Sequence, residues 1–237
     1  MRYGFHRLVK LRILFQDACY VAVDKPAGLL VHRSPLDANA RVFALQLLRD
    51  QLSQPVYPCH RLDRPTSGVL LFALDAASLR FTQQELAAQS CEKTYRAVVR
   101  GWTKDFGQID YNLRSEEPPH KVQSARTDFR TLQRSEVSIP VGRYPQARFS
   151  LLELSPVTGR KHQLRRHLAH VRHPIIGDTR HGDGAQNRFL RSHCGEQRLL
   201  LRATSITFTH QKTGSRIVVD AGPEESFERI LKRLALA

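Results

Sequence analysis

The segment His60-Arg61-Leu62-Asp63-Arg64-Pro65-Thr66-Ser67-Gly68 stands directly before residues 69–74, one of the two longest unbroken apolar runs in the chain. An apolar run of this length between turn-forming residues predicts a buried β-strand, so the polar segment before it forms a loop that leads into a sheet. Pro65 disfavours the helical conformation at the preceding residue and keeps the loop extended. Asp63 is therefore a carboxylate on a constrained loop between two arginines.

Residue types alone leave the role of Asp63 open. A carboxylate in this position can act as a nucleophile, act as a base, or pair with the neighbouring arginines. The composition around it is also that of a turn with solvated charges, because aspartate, proline, serine and glycine are all common turn residues. The residues by themselves do not choose between a chemical and a structural role.

The charge of the chain points to a polyanionic partner. The 237 residues carry a formal charge of +15, which favours nucleic acid first and an anionic membrane surface second. Residues 160–202 hold ten arginines and lysines against three acids. A solvated basic face is the plain interpretation of any one of these residues, but the block as a whole exceeds what solubility requires and predicts contacts with phosphates.

Cysteine spacing and hydropathy restrict the compartment. The four cysteines are widely spaced and contain no Cys-x-x-Cys pair, so neither a zinc site nor a disulfide framework is indicated. Reduced thiols fit a cytoplasmic protein best. Residues 1–10 are basic but no continuous apolar region follows them, and no apolar run reaches the length of a membrane span. We therefore expect a cytoplasmic protein that does not associate with a membrane.

Hydrophobic periodicity and turn residues predict short strands mixed with a few helices. Residues 102–125 read as a loop with a possible hairpin, and residues 177–197, which are glycine-rich and basic, predict a loop. The mixture indicates one α+β domain, residues 11–237, with a mostly antiparallel, mixed sheet flanked by helices after a basic tail at residues 1–10. Strands are expected at residues 12–15, 19–23, 69–74, 94–99, 127–132, 147–154, 205–209 and 216–220, and helices at residues 42–52, 78–89, 160–171 and 224–236.

Four of the six histidines in residues 160–202 raise the question of a metal site. His162 and His167 are five residues apart and do not share a helical face, whereas His167 and His170 could meet. No cysteine or well-placed acid completes a ligand set for them in the sequence. We therefore expect no metal, and expect these histidines, together with His173, to face RNA or the protein surface.

Three motifs resemble those of one enzyme family. Residues 60–68 resemble the active-site signature of the pseudouridine synthases of the large-ribosomal-subunit (RluA-like) type, whose catalytic aspartate stands at the position of Asp63. Lys93-Thr94-Tyr95 resembles the second motif of that family. The third motif, a helix that carries an arginine, resembles Gly159-Arg160-Lys161-His162-Gln163-Leu164-Arg165-Arg166-His167-Leu168, and Pro174-Ile175-Ile176-Gly177-Asp178 also fits. The resemblance runs from about residue 12 to near the C-terminus.

The resemblance implies isomerisation of a uridine in RNA. The reaction breaks the N1–C1′ bond, rotates the base and rejoins it through C5, so it involves no redox change and implies no cofactor. The target base must be flipped out of its stem, and an aromatic side chain can restore part of the lost stacking. The resemblance implies Asp63 as the catalytic residue, Arg165 as its partner, and Tyr95 as the side chain on which the flipped base stacks. It implies that Arg64 and His60 fill the space that the base leaves in the stem or bind a flanking phosphate. Lys93 is a further implied substrate-binding residue, and Leu168 is implied to form a wall of the pocket.

A narrower resemblance points to the members of this family that act on tRNA. It rests on Val31-His32-Arg33-Ser34, on Pro65, on Gly142-Arg143-Tyr144-Pro145, and on His181-Gly182-Asp183 with Gln186-Asn187-Arg188. It implies tRNA as the substrate and uridine 65, in the T-stem, as the target. The chain departs from the family at Arg202, where a histidine is usual, which puts RNA contacts there in doubt. A separate N-terminal RNA-binding module has no room, so the catalytic domain itself is expected to hold the RNA.

Other functions stay open at this point. A ribosomal RNA pseudouridine synthase would share every motif, and a non-catalytic RNA-binding protein on the same fold would have no need of Asp63. A metal-dependent nuclease is a more distant alternative, which sensitivity to chelators would distinguish. We expect the protein to act as a monomer without a protein partner.

Overall fold

The computed structural model describes residues 10–32, 42–116 and 118–237. Nearly all of the predicted basic tail, and the Arg33-Ser34 half of one motif, lie outside these residues. The chain divides into two compact units, Met1–Cys91 with Thr207–Ala221, and Glu92–Ile206 with Gly222–Ala237. In none of the described segments is a helix both long and apolar enough to cross a membrane.

Strands outnumber helices along the described chain. The helices are α1 (Ala44–Leu52), α2 (Ala76–Ala87), α3 (Gln163–His170), α4 (Gly184–Cys194) and α5 (Glu225–Arg233). The strands are β1 (Arg12–Gln16), β2 (Tyr20–Lys25), β3 (Tyr57–Pro58), β4 (Ser67–Ala73), β5 (Glu92–Arg100), β6 (Phe106–Asp110), β7 (Leu113–Arg114), β8 (Val122–Gln123), β9 (Arg126–Val137), β10 (Ala147–Pro156), β11 (Leu201–Thr209) and β12 (Arg216–Asp220).

The first unit is built around β4, which is buried at every position. This burial explains why its sequence is continuously apolar rather than alternating. Strand β2 pairs antiparallel with β4, from Tyr20 opposite Ala73 to Lys25 opposite Gly68, and β1 pairs antiparallel with β2. Helix α2 is tied to β2 by a buried hydrogen bond of 3.1 Å between the hydroxyls of Thr82 and Tyr20. The loop of residues 60–66 therefore leads into the most buried strand of this unit.

The second unit is an antiparallel array in which β10 pairs with both β5 and β9, and β9 pairs with β6. One core cluster packs α3 against these strands, with Leu164 and Leu168 of α3 buried among Val99, Leu152 and Leu154. A second cluster packs α4 and α5 onto β10. The 3.6-residue spacing of apolar residues in α3 and α5 accounts for the faces that they bury.

The predicted fold class is confirmed: the chain is α+β, with a mixed, mostly antiparallel sheet and helices. The predicted strands and helices overlap those observed, with most ends shifted by a few residues. The possible hairpin within residues 102–125 is present as β7 and β8, whereas β6 was not predicted. The boundary between tail and domain at residue 11 stays a prediction.

The predicted loop at residues 177–197 is wrong, because this segment contains α4. Asp183 caps the helix, and Phe189, Leu190 and Cys194 bury one of its faces. The glycines that suggested a loop have other roles. Gly177 has a φ of +83°, and a Cβ there would lie 1.7 Å from the carbonyl oxygen of Arg198, so only glycine fits at this position.

We predict that Asp183→Ala destabilises the second unit. The carboxylate accepts hydrogen bonds from the backbone N–H groups of Ala185 and Gln186 and pairs with Arg100 at 2.6 Å. Loss of the cap should cost about 1 kcal/mol of unfolding free energy, and loss of the half-exposed ion pair less than about 1 kcal/mol more. Asp183→Asn keeps a capping oxygen and should retain most of the stability. Equal losses for the two variants in urea unfolding would show that the cap contributes nothing.

Candidate active site

Asp63 lies half-buried on the loop between β3 and β4, in the first unit. Its carbonyl oxygen accepts a hydrogen bond of 3.0 Å from the backbone N–H of Thr66, which closes a tight turn immediately after the carboxylate. Leu62 is buried directly before it, and Gly68, the second residue of β4, has a φ of +112°. The position of the Asp63 backbone is thus set from both sides, by an apolar anchor and by a closed turn.

Lys25 holds the same loop in place through hydrogen bonds from its buried side chain. Its side chain is fully buried at the end of β2, and its Nζ donates to the carbonyl oxygens of Pro26 at 2.9 Å, Leu29 at 2.8 Å and Arg64 at 3.2 Å. Donation to three acceptors requires three N–H bonds, so the group is an ammonium. The backbone N–H of Gly28 donates to the same Arg64 carbonyl at 2.8 Å. The residue next to Asp63 is therefore held by two donors.

The sequence indicated only a turn at Lys25-Pro26-Ala27-Gly28 and did not identify Lys25 as part of the site. The signal that could have found it is a lysine at the end of an otherwise apolar strand, since lysine is almost never fully buried unless its charge is matched.

The other two predicted site residues of this loop are placed differently. The Arg64 side chain is exposed, and its Nε donates to the carbonyl oxygen of Gly28 at 3.1 Å. His60 is half-buried, and its Nε2 accepts a hydrogen bond of 3.2 Å from the backbone N–H of Leu71, so this nitrogen carries no proton. The Arg64 side chain is thus exposed and contacts the turn at Gly28, whereas the ring of His60 is hydrogen-bonded to β4.

Arg165 is held by a buried carboxylate in the second unit. Its Nε and Nη2 donate to the two carboxylate oxygens of Asp178 at 2.7 and 2.8 Å, and the two residues are 5% and 2% exposed. The backbone N–H groups of Arg180 and His181 donate to the same carboxylate at 2.9 and 3.0 Å. Bidentate pairing fixes the plane of the guanidinium as well as its position. The sequence placed Asp178 only at the end of a motif and gave no sign of its pairing with Arg165.

The pKa of Asp178 reports the same contacts. Burial acts to raise this pKa, but the hydrogen bond from Arg165 and those from the backbone N–H groups of His181 and Arg180 outweigh it, and the pKa lies below its usual range. The carboxylate is therefore ionised at neutral pH, as a partner of a guanidinium must be.

Tyr95, Leu168 and Lys93 also belong to the second unit. Tyr95 lies on β5 opposite Leu154 of β10 and is half-buried, packed against the core cluster that contains Leu164 and Leu168. Leu168 is 1% exposed and is a core residue in this structure. Lys93 is half-buried near the start of β5. The structure thus brings Tyr95 and Leu168 into one cluster, and Asp63, Arg64 and His60 into one loop.

The histidine prediction needs two corrections. His167 does not face RNA or the surface: it is fully buried, with its ring nitrogens 3.0 Å from the Thr127 hydroxyl and 3.0 Å from the Tyr111 carbonyl oxygen. Burial lowers its pKa, so the ring is neutral. Contrary to the prediction, an acid does lie beside two histidines, because ligand atoms of Glu116, His162 and His181 lie within 4.8 Å of one another. Asp17, Cys19 and His210 form a similar group in the first unit.

Arg202, which stands where a histidine is usual in the family, is buried and forms an ion pair. It is 3% exposed, pairs with Glu224 at 2.9 Å and donates to the carbonyl oxygen of Gly222 at 3.1 Å. Arg198 pairs with the same glutamate. These contacts join the start of β11 and the residues just before it to the start of α5, which accounts for an arginine at this position.

Comparison with known proteins then identifies the family. Residues 19–170 match the model of the family described as RNA pseudouridylate synthase. The chain belongs to this family. The matched residues of the RNA pseudouridylate synthase domain include the Asp63 loop, β5 and α3, which carry all three sequence motifs.

Curated relatives agree with this assignment, and a solved structure shares the fold. The chain is 47% identical to a protein of Vibrio cholerae named tRNA pseudouridine synthase C, over 93% of this chain and 94% of the relative. It is 46% identical to a Haemophilus influenzae protein of the same name, over 94% and 97%. The fold resembles that of Human RNA Pseudouridylate Synthase Domain Containing 1, with a TM-score of 0.73, 22% identity, and coverage of 97% and 90%. The predicted family is confirmed, whereas the individual roles of the site residues stay predictions.

We predict that Asp178→Ala is strongly destabilising. It leaves the Arg165 guanidinium buried without its carboxylate, which typically costs roughly 3–5 kcal/mol of unfolding free energy. The matched control is Glu153→Ala, which removes the exposed pair with Arg130 at 3.0 Å and should cost less than about 1 kcal/mol. Urea unfolding measures both, and equal costs would contradict the role assigned to the buried pair.

The stability of the wild-type protein should also depend on pH through this pair. The folded-state pKa of Asp178 lies below its ordinary value, so the stabilisation is present above about pH 4, the usual pKa of aspartate, and is lost as the pH falls through the folded-state pKa. The difference in unfolding free energy between the wild-type protein and Asp178→Ala should therefore shrink in acid.

Proposed function

We propose that this chain is a pseudouridine synthase that isomerises a uridine of tRNA, with Asp63 as its catalytic residue. The observation that carries the proposal is the identity of 45–47% to proteins named tRNA pseudouridine synthase C, over more than nine tenths of this chain. The pinned loop supports the choice of Asp63, because a catalytic group needs a backbone that does not move during the reaction. The chain is accordingly an isomerase.

The chemical steps of the reaction require one correctly positioned carboxylate. The N1–C1′ bond breaks, the uracil turns, and a C5–C1′ bond forms, while the proton lost from C5 is balanced by one gained at N1. Asp63 can attack the ribose, attack the base, or take a ribose proton, and each route requires it to be ionised. All three leave the composition of the RNA unchanged, so no cofactor is part of the proposal.

The substrate-binding residues are proposed from their placement. Tyr95 is half-buried and packed against the core, and it is proposed to stack on the flipped base. A base stacked on an aromatic ring gains roughly 1–3 kcal/mol, which offsets part of the cost of leaving the helix. Arg165 is proposed to act beside the reacting base with its guanidinium oriented by Asp178, Leu168 to support the pocket, and Lys93, Arg64 and His60 to contact the RNA.

The basic block, residues 160–202, supports RNA binding, but only its exposed side chains can contact phosphates. Arg165 and Arg202 are buried and engaged in ion pairs, so they do not contribute to a surface for phosphates. The exposed arginines of this block are Arg172, Arg180, Arg188 and Arg191. These residues, together with the charge of +15, supply the phosphate contacts that tRNA binding requires.

The proposal also covers the target uridine, the oligomeric state and the cellular compartment. Uridine 65 in the T-stem is the proposed target, reached by base flipping, and the protein is proposed to act as a monomer in the cytoplasm. A ribosomal RNA substrate is the second candidate, since the family description names RNA and not tRNA.

The test is isomerisation by the wild-type protein and by Asp63→Asn. With a tRNA transcript in buffer containing a chelator, the wild-type protein should produce pseudouridine at one position, and Asp63→Asn none. The affinity of Asp63→Asn for tRNA should stay within about threefold, because the change removes no cation that contacts phosphate. Asp50→Asn is the matched control, because it neutralises an exposed aspartate on α1 and should be fully active.

Other outcomes would redirect the assignment. Modification of ribosomal RNA alone would move the substrate to the second candidate. Tight binding of tRNA without isomerisation by the wild-type protein would leave an RNA-binding protein. Full activity of Asp63→Asn would remove Asp63 from the mechanism, and activity that chelators abolish would indicate a bound metal.

A further inference from the structure

Four side chains converge on one carboxylate in the second unit. Glu116 lies between β7 and β8, and its Oε2 is 3.1 Å from Nη2 of Arg180 and 3.6 Å from Nζ of Lys161. Its Oε1 faces Nδ1 of His162 at 3.8 Å. His181 completes the group, with its Nε2 3.0 Å from Nδ1 of His162. An acid from one segment is thus enclosed by basic side chains from two others.

The backbone directs His162 toward this group. His162 precedes α3 with a φ of +55°, a left-handed conformation that residues other than glycine rarely adopt, and its side chain does not cap the helix. Its ring instead reaches His181 and Glu116.

The charges of the cluster do not balance. Burial acts to raise the pKa of Glu116, but His162, Arg180, Lys161 and His181 outweigh it, and the pKa lies below its usual range. The single negative charge of Glu116 therefore faces two full positive charges, from a lysine and an arginine, and two imidazoles. The cluster keeps a positive excess that suits an anion better than a divalent cation.

We propose that Lys161, Arg180, His162 and His181 form a binding site for a backbone phosphate of the RNA, and that Glu116 occupies this site in the RNA-free protein and competes with the phosphate. This inference rests on the proposed function. A carboxylate presents the same kind of acceptor oxygens as a phosphate to lysine and arginine donors. A phosphate that displaces Glu116 would keep these donors satisfied.

The same segment connects the cluster to Arg165. Asp178, which orients Arg165, accepts hydrogen bonds from the backbone N–H groups of Arg180 and His181. Two of the four side chains proposed to hold the phosphate thus extend from the turn that the buried ion pair fixes, and Lys161 and His162 directly precede the helix that carries Arg165. The site therefore positions the RNA backbone relative to a residue of the proposed active site.

The test is the affinity of tRNA for Glu116→Gln, measured in the Asp63→Asn background so that no reaction occurs. Removing the competing charge should tighten binding about threefold to fivefold, the effect expected for one partly exposed ion pair. The matched control is Glu136→Gln, which removes the same charge from a pair with Arg148 at 2.6 Å and should change the affinity less than about twofold. Arg180→Ala should weaken binding and reduce the slope of log affinity against log salt by about one.

The proposal and the proposed function can fail separately. If Glu116→Gln binds tRNA no more tightly than Glu136→Gln, the phosphate site is overturned, whatever the wild-type protein isomerises. If the wild-type protein isomerises nothing while Glu116→Gln still binds more tightly, the catalytic function is lost and the phosphate site stands.

Two measurements on RNA-free protein address other ligands. A rise in melting temperature with Zn²⁺ that Glu116→Gln abolishes would overturn the proposal in favour of a metal site. A rise with inorganic phosphate in Glu116→Gln, at unchanged tRNA affinity, would show that the site takes free phosphate and would overturn its assignment to RNA.

Discussion

The contact on which the proposed active site depends is that between the buried ammonium of Lys25 and the backbone carbonyl of Arg64. A fully buried charge is tolerated only when its donors are satisfied, and Lys25 finds carbonyl acceptors both in its own turn and in the Asp63 loop. Losing one such partner leaves buried polar groups unmatched, at a cost of about 1–3 kcal/mol each. Any displacement of the loop therefore breaks hydrogen bonds in the core, which keeps the backbone beside Asp63 in one position.

The Arg165–Asp178 pair works by the same principle in the second unit. A buried ion pair adds little net stability, because desolvation of two charges offsets their attraction. What the pair provides is orientation, since a bidentate guanidinium has one plane and Asp178 is itself held by two backbone N–H groups. In both units a buried charge fixes backbone or side-chain geometry next to a residue of the proposed site.

The sequence predicted the strands, helices and motifs that depend on local residue patterns. The continuous apolar run marked β4, because a strand buried on both faces cannot alternate, and the family motifs marked the Asp63 loop, β5 and α3. It did not predict α4, because glycine and arginine content outweighed the cap at Asp183 and the apolar residues of one face.

The sequence did not predict contacts between residues that are far apart in the chain. The burial of His167 depends on Thr127 and Tyr111, which are 40 and 56 residues away in the chain. The partners of Lys25 and the enclosure of Glu116 are set by tertiary structure in the same way. A single sequence shows that such residues are polar or charged, but not whether folding supplies a partner.

The most direct test of this account is the single-turnover rate of Lys25→Met on a tRNA transcript. Methionine is close to lysine in length and fills the same space without donating hydrogen bonds. We predict a folded protein that binds tRNA within about threefold of wild type and isomerises it at least about tenfold more slowly, because a small misplacement of a catalytic group lowers the rate and not the affinity. Lys212→Met, at an exposed lysine of the same unit, should react at the wild-type rate. A wild-type rate for Lys25→Met would contradict the claim that the buried ammonium positions Asp63.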